Sequence, residues 1–169
     1  MVDMGAASGV VLAVSFTYGA SFAVGVEMKN AGQHHIFFCA QSILEKYGVS
    51  SLRSAIRFGV DATTCEELPT LQTPGFQMAK AVYAFCDGGA QEDRAHMFSL
   101  IGKDELAMVF VCSCGKGKCD WFPTPDFVLK ALNEAAAHGQ KPLFKIHSQL
   151  PIHMYSSSGG KTLHVFTRL

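Results

Sequence analysis

From Met4 to Val26 the chain carries no charged residue, and this stretch constrains the fold more than any other. An uncharged run of that length either crosses a membrane as a helix or is buried inside a protein. Its internal pattern separates the two. Leu12, Val14, Phe16 and Tyr18 alternate with Ala13, Ser15 and Thr17, and beyond Gly19-Ala20 the alternation resumes as Phe22, Val24, Val26 and Met28 against Ser21, Ala23, Gly25 and Glu27. Period two is the signature of a strand. A signal peptide would carry a basic leader, whereas the charge ahead of the run is Asp3. The expectation is two hairpin strands of a soluble, intracellular protein, cytoplasmic by default and without a membrane span.

With 169 residues, 49% of them hydrophobic and 17% charged, the chain has enough apolar surface for its own core. No repeat, linker or composition shift marks a boundary, so a single domain over 1–169 is expected. Lys and Arg number 14, as do Asp and Glu, so the formal charge is zero. That balance removes the basic field on which sequence-independent nucleic-acid binding or an anionic membrane surface depends, and no nucleic-acid fold signature is present. The six cysteines are spread through a chain that needs no disulfide framework, and reduced thiols follow.

Further along, His34 to Tyr47 has helical spacing and Gly48 stands just past its end. Ser50 or Ser51 can cap a short helix over Leu52 to Phe58, with Arg53 and Arg57 at i and i+4. Gly59 to Pro74 reads as a long irregular loop, Phe76 to Phe85 and Glu92 to Leu100 as helices, and Leu106 to Val111 as an apolar strand. That strand runs into Cys112-Ser-Cys114-Gly-Lys-Gly-Lys-Cys119, with Asp120-Trp121-Phe122 as the return strand. Thr124-Pro125-Asp126 opens a helix that Gly139 closes. Leu143 to Leu150, Ile152 to Ser156 and Lys161 to Arg168 read as strands. These elements add up to an α+β fold, a mainly antiparallel sheet of about seven strands with helices packed on one face.

Three local patterns bear on chemistry. Cys112, Cys114 and Cys119 at a glycine-containing hairpin tip can converge on zinc, with His147, His153 or Cys86 as the fourth ligand, although the usual Cys-x2-Cys spacing is absent. Ser156-Ser-Ser-Gly-Gly-Lys161-Thr162 ends like a phosphate loop, but β-patterned residues follow where a helix is required. His147, His153, His164, Lys145, Lys161 and Arg168 can share a polar sheet face that gains charge below neutral pH.

A fourth pattern is Gln33-x5-Cys39, with the thiol near the start of a helix, where the dipole lowers its pKa. Over about a dozen residues this resembles the entry to the papain-like cysteine peptidase site. The resemblance implies Cys39 as nucleophile, Gln33 as oxyanion donor and a histidine from a later strand, His164, as base. Ala40 stands where that family has a tryptophan-type residue, and the segment after His164 has no orienting Asn or Asp.

The leading expectation is a non-enzymatic module for protein-protein contact or self-association, presenting a sheet edge or the Gly59–Pro74 loop to a protein partner or to a second copy in a homo-oligomer. It carries no cofactor. The alternatives are a small thiol hydrolase built on Cys39, His164 and Gln33, and a zinc-stabilised interaction module built on Cys112, Cys114 and Cys119.

Overall fold

Short runs of apolar residues without alternation suit strands whose two faces are both covered, because neither face then selects polar side chains. The computed structural model describes residues 1–4, 15, 20, 22–27, 39, 42, 45–46, 48, 54–58, 66, 81–85, 91–104, 106–114, 124–152 and 161–169. In it the chain forms two compact units, Met1–Ala79 and Lys80–Leu169.

The first unit holds β1 (Val2–Met4), β2 (Ala23–Glu27) and β3 (Ser54–Phe58) in the order β3-β2-β1. Both pairings are parallel, with Val2 opposite Val24, Asp3 opposite Gly25, and Ala23 opposite Ser54. Val2, Asp3 and Met4 are all buried, as are Ala23, Val24 and Gly25. Consecutive parallel strands need a crossover, usually helical. Accordingly Ser15 is helical between β1 and β2, and Cys39, Ser42, Glu45 and Lys46 are helical between β2 and β3. Gly48 takes φ +80°, and its N–H donates to the Glu45 carbonyl at 3.0 Å, as a helix stop requires.

The expected hairpin over Leu12–Tyr18 and Phe22–Met28 is therefore corrected. Its second arm is β2, but Ser15 lies in a helix and β2 pairs in parallel with β1. A run in which almost every residue is apolar or small satisfies period two and period 3.6 alike. The expected helix over Leu52–Phe58 is also corrected, since Ser54–Phe58 is a strand.

The second unit contains β4 (Ala81–Phe85), α1 (Gln91–Lys103), β5 (Met108–Cys114), α2 (Pro125–His138), β6 (Phe144–Ile152) and β7 (Lys161–Arg168). The order is β4-β5-β7-β6. Strands β4 and β5 are parallel, and β7 runs antiparallel to both β5 and β6. Ala81–Phe85, expected as the end of a helix, is thus a parallel strand. The expected pair Leu143–Leu150 and Ile152–Ser156 is one continuous strand as far as Ile152. The return strand at Asp120-Trp121-Phe122 lies outside the described residues. Among the described pairings three are parallel and two antiparallel, which overturns the expected mainly antiparallel α+β sheet in favour of a mostly parallel α/β arrangement.

Helix α2 begins as its sequence dictates. The Thr124 hydroxyl accepts from the Phe127 N–H at 3.2 Å, Pro125 opens the first turn, and Val128, Leu132, Ala135 and Ala136 form the buried stripe. Gly139 closes the helix at φ −83°, and the left-handed residue is Gln140, at φ 53°. Helices α1 and α2 approach so closely that a Cβ on Gly102 would stand 2.4 Å from the Leu132 carbonyl oxygen and 2.9 Å from the Ala135 Cβ. The largest fully buried side chains of this unit include Phe98, Ile101, Leu106, Leu132 and Phe166.

Two polar side chains fasten this unit. Asn133 of α2 accepts from the Phe144 N–H at 2.6 Å and donates to the Phe144 carbonyl at 3.1 Å, so an amide group occupies the place of a neighbouring strand at the start of β6. Arg168 donates to the Leu106 carbonyl at 2.7 Å, to the Gly102 carbonyl at 3.1 Å, and to the carbonyls of Asp104 and Pro142, and its guanidinium lies 4.2 Å from the Phe144 ring centre. The Gly102 carbonyl belongs to the last turn of α1, where the helix dipole favours a cation. No helix among the described residues is long and apolar enough to cross a membrane.

Arg168→Ala strips the donor from these carbonyls and is expected to lower the unfolding free energy by roughly 2–4 kcal/mol in urea titrations. Arg168→Lys should restore only part of that, because an ammonium cannot fork across several acceptors. Gly102→Ala must push α1 away from α2 and should cost roughly 1–3 kcal/mol in the same measurement.

Candidate functional site

In open parallel sheets the carboxyl ends of the strands face the loops that open the crossovers, and ligands bind there. In the first unit these ends are Asp3-Met4 of β1 and Val26-Glu27 of β2. The ladder pairs Asp3 with Gly25 and Met4 with Val26, so Glu27 stands one rung beyond the last residue of β1. Asp3 is 1% exposed, and a carboxylate is taken out of water only where it has polar work to do.

The sequence leaving β1 is Gly5-Ala-Ala-Ser-Gly9, and Glu27 follows Gly5 by about twenty residues. Small residues directly after a first parallel strand let a ligand approach the backbone, and an acid ending the second strand suits a pair of ribose hydroxyls. Gly5-x3-Gly9 departs from the Gly-x-Gly-x-x-Gly spacing of dinucleotide sites. A buried acid in β1, glycines next in the sequence and a second acid at the end of β2 make the feature that sequence reasoning missed. Its signal lies in Asp3-x-Gly5-x3-Gly9 followed by Glu27, and the alternation that makes β2 resemble one arm of a hairpin hides it.

Of the residues singled out from the sequence, some fall in different units and some outside the described residues. Cys39 is exposed on a helical segment of the first unit, His164 belongs to β7 of the second, and Gln33 lies outside the described residues. Cys112 is fully buried in β5, Cys114 is the last residue of that strand, and Cys119 lies outside the described residues. The strand expected to end at Val111 thus continues through Cys112 to Cys114. Among the described residues no group of three His, Cys, Asp or Glu can hold a metal ion.

The expected polar histidine face is corrected too. His164, Val165 and Phe166 are buried in succession, as in a strand covered on both faces. His164 pairs with Val111 and Gln149, with its ring 6.5 Å from that of Phe166. Burial pushes its imidazole below the ordinary 6.5. His147 is exposed at the register shift between Ile146 and Ser148, and His34, His35 and His153 lie outside the described residues. Lys161 opens a strand, as expected, and not the helix of a phosphate loop.

No known family profile matches this sequence, and no curated protein does. Solved structures do match. Magnesium protoporphyrin IX methyltransferase from Synechocystis PCC 6803, with bound SAM, superposes with a TM-score of 0.68 at 11% identity, over 99% of this chain and 69% of that one. A putative RNA methyltransferase from Pyrococcus horikoshii gives 0.57 at 12% identity, over 99% and 73%. The [4+2]-cyclase SpnF gives 0.61 at 13% identity, over 99% and 73%.

This chain therefore has the Rossmann-like α/β fold of these proteins. That finding overturns the expected non-enzymatic interaction module or oligomer, and with it the papain-like hydrolase and the zinc-stabilised module, none of which this architecture suggests. It also overturns the expectation of no cofactor, or of zinc, for a fold whose solved examples include one holding SAM.

The His164 environment yields a test of stability. Above pH 6.5 the imidazole is neutral in folded and unfolded chains alike. As pH falls below that value the unfolded chain takes up a proton that the folded one resists, so stability is lost toward the lowered native pKa. The unfolding free energy should decline as pH falls below about 6.5, and the decline should be shallower in His164→Gln. Equal slopes for the two proteins would remove this histidine as the cause.

Proposed function

We propose that this chain is a methyltransferase domain that binds S-adenosylmethionine at the carboxyl ends of β1 and β2 and delivers its methyl group to a nucleophilic acceptor. The observation that carries this reading is the joint placement of buried Asp3 in β1 and Glu27 one rung beyond β1, with Gly5 and Gly9 following β1 in the sequence. The structural likeness to a methyltransferase with bound SAM supports it.

The donor, when bound, supplies an electrophilic methyl on a sulfonium. The protein's share is to bind and orient. Glu27 would accept hydrogen bonds from the ribose hydroxyls, a charge-assisted contact that a neutral side chain makes more weakly. Gly5 and Gly9, lacking a Cβ, would let the backbone come close to the donor. Asp3 would stabilise the positively charged donor electrostatically or brace the turn that holds it. Because methyl transfer from a sulfonium creates no strong base, holding donor and acceptor in line accounts for much of the acceleration such a domain can provide. As part of the same reading the chain is a soluble, intracellular protein with reduced cysteines.

Isothermal titration with S-adenosylmethionine, and with S-adenosylhomocysteine, tests the reading. Saturable binding of one ligand per chain is expected, with a rise in melting temperature that grows with ligand concentration. Glu27→Gln should weaken binding by roughly 10- to 100-fold, the loss of one or two charge-assisted hydrogen bonds. A folded protein that binds neither ligand would overturn the proposal. Binding without methyl transfer to any acceptor would leave a cofactor-binding domain with a different reaction; a [4+2]-cyclase is among the structures that share this fold.

A further inference from the structure

We draw no further inference here: the strongest candidate, the apolar face of β5, β7 and β6 on which Met108, Leu163 and Leu150 stand, carries nothing because nothing in the structure shows what covers it.

Discussion

Parallel pairing cannot be closed by a tight turn, because the chain must return the length of the strand before it can pair again. The ladders between β1 and β2, β2 and β3, and β4 and β5 therefore force three crossovers, and each contains helical residues among those described. Much follows from that one requirement. Strands acquire two covered faces, which is why Val2 to Met4 and Ala23 to Gly25 are buried without alternation. The carboxyl ends of the parallel strands are also left as the place where loops gather, and there Asp3 and Glu27 stand two rungs apart on adjacent strands.

The second unit meets a different difficulty, since its sheet ends in β6 and a free strand edge invites unwanted pairing. Asn133 meets it at the first residue of the strand by presenting one donor and one acceptor to Phe144. Arg168, at the far end of β7, gathers carbonyls from the end of α1, the approach to β5 and the approach to β6. One cation thus serves several segments whose backbone oxygens would otherwise need water. The close approach of α1 and α2 at Gly102 holds the same corner by shape.

What the sequence made legible divides along the same physical line. Helix α2 announced itself through Thr124, Pro125 and Gly139, and β7 and much of β6 through their β-rich runs, because these elements carry local signals of their own. Strands β3 and β4 did not. Five residues such as Ser-Ala-Ile-Arg-Phe or Ala-Val-Tyr-Ala-Phe fit a turn of helix as well as a strand, and only pairing with distant segments decides. The direction of pairing is not written in any one strand, so β2 looked like half of a hairpin. The candidate site was lost with it, since Asp3 and Glu27 acquire meaning together only when β1 and β2 lie side by side in parallel. His164 misled for a related reason: alternation with Leu163 and Val165 suggests an open face, whereas His164, Val165 and Phe166 are buried in succession.

The antiparallel insertion of β7 between β5 and β6 has a consequence for how the domain can diversify. Cys114, the last residue of β5, lies opposite Lys161, and Lys161 lies opposite Ile152, so the connection from β6 to β7 leaves from the same rim as the end of β5. Because that connection joins antiparallel neighbours, it requires no crossover helix. Residues added between Ile152 and Lys161 lengthen the rim without moving any strand out of register. The domain thereby owns a stretch of rim whose length and chemistry can change while the fold beneath it stays fixed.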